Sequence, residues 1–91
     1  MADVIVTIKV MPESPEEDLK HIEQEAKKLI EKHDAILGKV EIKPIAFGLN
    51  SLNLIMVMDE SKGSTEELEK KIAAIKGVIS VDVLDVRRAV G

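Results

Sequence analysis

Apolar residues that recur at every second position must bury one face of a strand. Those that recur every third or fourth must bury a stripe of a helix. This chain switches between the two periods in a fixed order, and that order constrains its fold more than any other feature. Over residues 3–10, Val4, Val6, Ile8 and Val10 share one side, with Thr7 and Lys9 on the other, as in a half-buried strand. The spacing then lengthens, and Leu19, Ile22, Ala26, Leu29 and Ile30 fall on one helical face. Ser14, Pro15 and Glu17 predict the start of this helix as an N-cap, a first-turn proline and a reciprocal glutamate. Lys27, Lys28 and Lys32 complement the dipole at its other end.

Alternation returns over 35–46 through Ile36, Val40 and Ile42. Pro44 has no amide hydrogen to donate, so this strand is expected at an edge or to end there. Residues 49–58 predict a third strand with Leu52, Leu54, Met56 and Met58 on one face. Ser64, with Glu67 three residues on, predicts the cap of a second helix carrying Leu68, Ile72 and Ile75, closed by a left-handed Gly77. The last strand is predicted over 78–86, with Val81 and Val83 inward. The order β-α-β-β-α-β with two amphipathic helices points to an α+β, ferredoxin-like fold: a four-stranded antiparallel sheet with both helices on one face. With 91 residues, 45% of them apolar, residues 1–91 are expected to form one ordered domain.

Such a fold hosts unrelated functions, so function has to come from sites. The chain has no cysteine, which removes disulfides and thiolate metal sites. A net charge of −4 argues against general nucleic-acid binding, which uses a basic face. The opening has no basic region ahead of its apolar run, and that run is too short to span a bilayer. A soluble, cytoplasmic protein is expected, with no membrane contact. His21 and His33 lie twelve residues apart on the first predicted helix, about 18 Å at ~1.5 Å per residue, too far for one metal ion, and both are expected to face solvent. Ser61–Thr65, "SKGST", lacks the P-loop spacing and reads as a loop with a helix cap. Asp59 and Glu60 are adjacent carboxylates without the alternating oxygen ligands of a calcium loop. Glu16, Glu17, Glu23 and Glu25 read as a solvated helix face. No catalytic residue, metal site or cofactor is expected, and the chain does not read as an enzyme.

Two features remain. Phe47 is the only aromatic residue and sits between Ala46 and Gly48, at the break between two alternating runs. It reads either as a core plug or as a rigid apolar knob at a hairpin tip, where Gly48 permits a tight turn and the ring would anchor a protein partner. Arg87 and Arg88 follow the last predicted strand. They read either as solvated cations or as guanidinium groups reaching a partner's carboxylates or phosphates. The end of that strand is expected on the same rim as the hairpin.

The segment "PIAFGLNSLNLIMVM" followed by "SVDVLDVRRAV", together with the opening "DVIVTIKVMPESPEEDL", resembles the elongation factor 1-beta family in its short archaeal form. The resemblance runs over the whole chain. It implies the ferredoxin-like fold reached above, and a guanine-nucleotide exchange factor that speeds GDP release from elongation factor 1-alpha so that GTP can rebind. It places Phe47, with Ala46 and Gly48, at the partner contact near that GTPase's switch region. The family's near-terminal lysine, which in eukaryotic members approaches the magnesium site, falls closest to Arg88, with Arg87 beside it as a substitute. The rival expectation is a small regulatory or ligand-binding domain on the same fold, with a concave polar pocket and no effect on a GTPase.

Overall fold

The computed structural model describes residues 3–62 and 65–88. Strands β1 (Asp3–Pro12), β2 (Ile36–Pro44), β3 (Asn50–Asp59) and β4 (Val78–Arg88) form one sheet, and helices α1 (Leu19–Lys32) and α2 (Glu66–Ala73) complete the order β-α-β-β-α-β. The sheet runs β2-β3-β1-β4, with β1 antiparallel to both β3 and β4, and β2 antiparallel to β3. The inward alternation of β1 and β3 is as the sequence predicts. Val6, Ile8 and Val10 with Leu52, Leu54, Met56 and Met58 are buried against Ile22, Ala26 and Ile30 of α1 and Leu68 and Ile72 of α2. Both helices therefore cover one sheet face. Pro44 ends β2 on the sheet edge, where its missing amide costs no ladder bond.

Four local expectations are corrected. First, α1 starts at Leu19 rather than after Ser14. Asp18 is its N-cap, and its Oδ1 accepts the amides of Lys20 at 3.0 Å and His21 at 3.3 Å. A carboxylate there meets both the orphan amides and the positive dipole end. Ser14 instead turns the chain before the helix, its hydroxyl accepting from the Glu16 amide at 3.3 Å. The Glu13 amide donates to the Gly77 carbonyl at 2.8 Å, which ties this segment to the start of β4 and outside the helix. The far end of α1 closes as a Schellman turn: Asp34, at φ 59°, donates to Glu31 O at 3.0 Å and Ala35 to Ile30 O at 3.0 Å.

Second, α2 is shorter than its pattern. Thr65 occupies the N-cap, and its hydroxyl donates to Glu69 Oε2 at 2.7 Å; Ser64 lies outside the described residues. The helix ends at Ala73 with Ala74 as C-cap, so Gly77, at φ 97°, does not close it but turns the chain into β4. Third, a register shift at Gly38 moves Ile36 to the open sheet face opposite Val57 and turns Leu37 inward opposite Met56. The one-residue bulge reverses the alternation that placed Ile36 with Val40 and Ile42. Fourth, β4 runs on to Arg88, so Arg87 and Arg88 are strand residues.

Candidate partner-binding site

The β2–β3 connection shows why Phe47 stands where it does. The Ile45 amide donates to Leu49 O at 2.8 Å and the Leu49 amide to Ala46 O at 3.3 Å, closing a tight turn. Phe47 (φ 61°, ψ 31°) and Gly48 (φ 75°) are its central residues. Positive φ at both positions is the type I′ arrangement that suits the twist of a hairpin. Gly48 adopts it freely, and a Cβ there would meet nothing within 4 Å; the glycine answers the backbone and not a space limit. For a non-glycine residue the left-handed region costs roughly 1–2 kcal/mol. The phenyl ring recovers none of this inside the chain, because Phe47 is 93% exposed. The core-plug reading is excluded. The ring is a bare apolar knob on a rigid turn, and fully burying it against a partner would return about 1.5–3 kcal/mol.

The other two candidates lie at the far end of the sheet. Arg88 stands opposite Val4 and Arg87 opposite Ile5. Because successive strand residues face opposite ways, Arg88 is on the helix side with Val4 and Val86, and Arg87 is on the open face. Each already has a carboxylate: Arg88 Nη2 lies 2.7 Å from Glu60 Oε2, and Arg87 Nε lies 2.6 Å from Asp85 Oδ2. Beside Arg88 a groove of about 280 Å³ has an apolar floor of Val4, Val6, Met58 and Val86, and a rim of Asp59, Glu60 and Thr65.

The expectation that hairpin and β4 end share a rim is corrected. Leu52 pairs with Val10, at the hairpin end, and Met58 with Val4, at the arginine end. From Asn50 to Met58 is eight steps along β3, about 27 Å at ~3.4 Å per residue. Phe47 lies beyond one end of that span, in a molecule 42 Å long. The structure thus holds Ala46, Phe47 and Gly48 together and Arg87 and Arg88 together, but not the two groups.

The remaining candidates are occupied within the chain or withdrawn from it. The Asp59 carboxylate accepts from the Ser61 amide at 2.9 Å, and Glu60 is the partner of Arg88. Glu25 pairs with Lys28 at 3.0 Å; the hydrogen bond and positive charge of Lys28 hold its carboxyl below the usual range. His21 is exposed, as expected, but His33 is not: it caps α1 half-buried, with Nε2 buried and unpaired. Gly63 lies outside the described residues. Among the described residues no three His, Asp or Glu side chains converge on a metal position, and no helix is long and apolar enough to cross a membrane. Sequence reasoning missed Glu60, since nothing local links it to a residue 28 positions on. Asp85, two residues from Arg87 on the same strand face, was legible.

Residues 5–89 match the family described as the EF-1 guanine nucleotide exchange domain. The chain belongs to the elongation factor 1-beta family. Elongation factor 1-beta of Methanothermobacter thermautotrophicus is 44% identical over 88 residues, which is 97% of this chain and 98% of that protein. The proteins of the same name in Methanosphaera stadtmanae and Methanocaldococcus jannaschii are 43% and 36% identical, over 97% and 98% of this chain and 98% and 100% of their own. This exchange domain therefore serves guanine nucleotide exchange in translation elongation. Two solved structures share its fold. The ACT domain from GTP pyrophosphokinase of Chlorobium tepidum has a TM-score of 0.62 at 19% identity, over 90% of this chain and 99% of that one. The C-terminal domain of the MgtC protein from Mycobacterium tuberculosis has a TM-score of 0.60 at 15% identity, over 98% and 88%. At such identities the likeness speaks for the fold alone.

Proposed function

We propose that residues 1–91 act as one exchange domain on elongation factor 1-alpha, in the cytoplasm, and grip that GTPase at both ends of the sheet. Phe47, presented by Ala46 and Gly48, forms the first contact, and Arg88 with Arg87 forms the second. The observation that carries this reading is the bare ring of Phe47, 93% exposed on a strained turn; strain held at an exposed apolar residue belongs to a binding surface. Neither nucleic acid nor membrane is needed as a partner, and no cofactor or covalent step is involved.

An exchange factor works by linkage. If it binds the nucleotide-free GTPase better than the nucleotide-bound form, it weakens nucleotide affinity by the same factor. With about 27 Å of strand between them, Phe47 and the arginines do not meet at one nucleotide. One contact holds while the other acts. The apolar ring suits the hold. A guanidinium suits the nucleotide end, where Mg²⁺ bridges phosphates to protein and a competing cation weakens that bridge. Arg87 and Arg88 face opposite sides of β4, so one of them faces any given flat partner surface.

The test is release of fluorescent GDP from the matching elongation factor 1-alpha, with the full chain present and absent. Strong acceleration is expected. Phe47→Ala should raise the concentration needed for half the effect, and Arg88→Ala should lower the maximal rate. No acceleration of a GTPase shown to be active would overturn the proposal.

A further inference from the structure

The arginine that the proposed mechanism spends on the partner is already spent within the chain. Arg88 Nη2 and Glu60 Oε2 are 2.7 Å apart, and the pair joins the last residues of β4 to the turn after β3. Both groups are accessible, with side chains 70% and 39% exposed, so the pair is weak and exchanges readily. It also lies on the rim of the groove lined by Glu60, Asp59 and the apolar floor around Val4 and Val86. For Arg88 to reach a partner's anion, its guanidinium must leave Glu60. The abandoned carboxylate then sits beside the anion that Arg88 has approached, and like charges at close range repel.

We infer that Glu60 is a positioning residue that restrains Arg88, holding the guanidinium against the groove rim in the free domain and setting the strength with which its charge is delivered to the partner. This rests on the reading of Arg88 as a partner contact. Glu60 opposes binding twice, by competing for the guanidinium and by repelling its new partner. Removing its charge therefore enhances exchange, an outcome that a merely structural role for Glu60 does not produce. Arg87 differs here: its carboxylate, Asp85, lies on its own strand and on the open face, away from the groove.

The test is the same GDP-release assay, run as a concentration series at low and at high salt with four proteins: wild type, Glu60→Gln, Arg88→Ala and the double variant. Glu60→Gln should lower the half-saturating concentration about two- to five-fold at low salt, the size expected of an exposed pair. The gain should shrink at high salt, where the pair is screened, and be smaller in the Arg88→Ala background, where only the repulsion remains. A rise or no change with Glu60→Gln, or an equal gain without Arg88, would overturn the inference while leaving Arg88 as a contact. If Arg88→Ala alone leaves GDP release untouched, the reading beneath it fails and the inference falls with it. Circular dichroism of Glu60→Gln should match wild type, since the substituted group is at the surface.

Discussion

The two ends of this sheet present opposite kinds of surface. At the hairpin end an apolar ring stands uncovered on a backbone that resists its conformation, and none of the described residues offsets either cost. At the β4 end the charges are paired: Arg87 and Arg88 each have a carboxylate within 2.7 Å. An exposed apolar group loses nothing by binding, so its burial appears almost wholly as affinity. A paired guanidinium must first give up its partner, so its exchange for another anion changes total free energy little and discriminates among anions instead. Under the proposed function, the hairpin end holds and the strand end chooses.

The largest effect that would sharpen this contrast is at Phe47. Phe47→Ala should weaken binding of elongation factor 1-alpha by about 2–4 kcal/mol, as for a central anchor, and leave the thermal midpoint of the free domain unmoved. Calorimetric titration and a thermal melt measure the two; a large drop in stability would mean that the ring packs in the chain after all. Next is the turn that presents it. Gly48→Val places a β-branched residue at φ 75° and should cost roughly 1–2 kcal/mol in urea denaturation, with exchange lost because the knob is re-aimed. Gly48→Asn, which tolerates that region, should retain most of both.

Smaller effects belong to the other end. Arg88→Ala should change folding stability by no more than about 1 kcal/mol, yet alter the salt dependence of GDP release. If Arg87→Ala gave the larger change, the contact would belong to the open face. The smallest prediction lies away from both ends and serves as their control. Because the hydrogen bond and charge of Lys28 hold the Glu25 carboxyl below the usual carboxylate range, that contact favours the folded state above that range, and its contribution is lost as pH falls through the lowered folded value. Lys28→Ala should bring Glu25's titration back up when followed by NMR, and GDP release should stay as it was. A loss of exchange in Lys28→Ala would break the assignment of function to the sheet ends.

Most of the fold was legible because its signal is periodic and repeated. Val6, Ile8 and Val10 agree with one another, as do Leu52, Leu54 and Met56, and no single residue decides a strand. The errors fall where one residue does decide. Ser14 reads as the cap, and Asp18 takes that place because the long-range bond from Glu13 to Gly77 holds the segment before it outside the helix. Gly38 gave no local sign that it would take up an extra position and move Ile36 to the other face. Of the site, the turn at Phe47 was legible because Gly48 follows it, but the choice between core plug and knob and the positive φ of Phe47 were not. The separation of Phe47 from Arg88 follows from strand direction alone. Once β3 and β4 are both antiparallel to β1 they run the same way, so the end of β4 must lie opposite the start of β3. The tie between Glu60 and Arg88 needed the folded chain.

That separation has a further meaning. The span between the two proposed contacts is a count of residues along β1 and β3, both locked into the core through Ile8, Leu54 and their neighbours. Such a strand does not stretch. In the proposed grip, the domain is a fixed-length gauge laid against another molecule. A GTPase whose two receiving surfaces stand at that spacing satisfies both ends, and one that has closed around its nucleotide satisfies only one. Selecting a partner's conformation then requires no motion in the exchange domain, because the length of its sheet is itself the discriminating quantity.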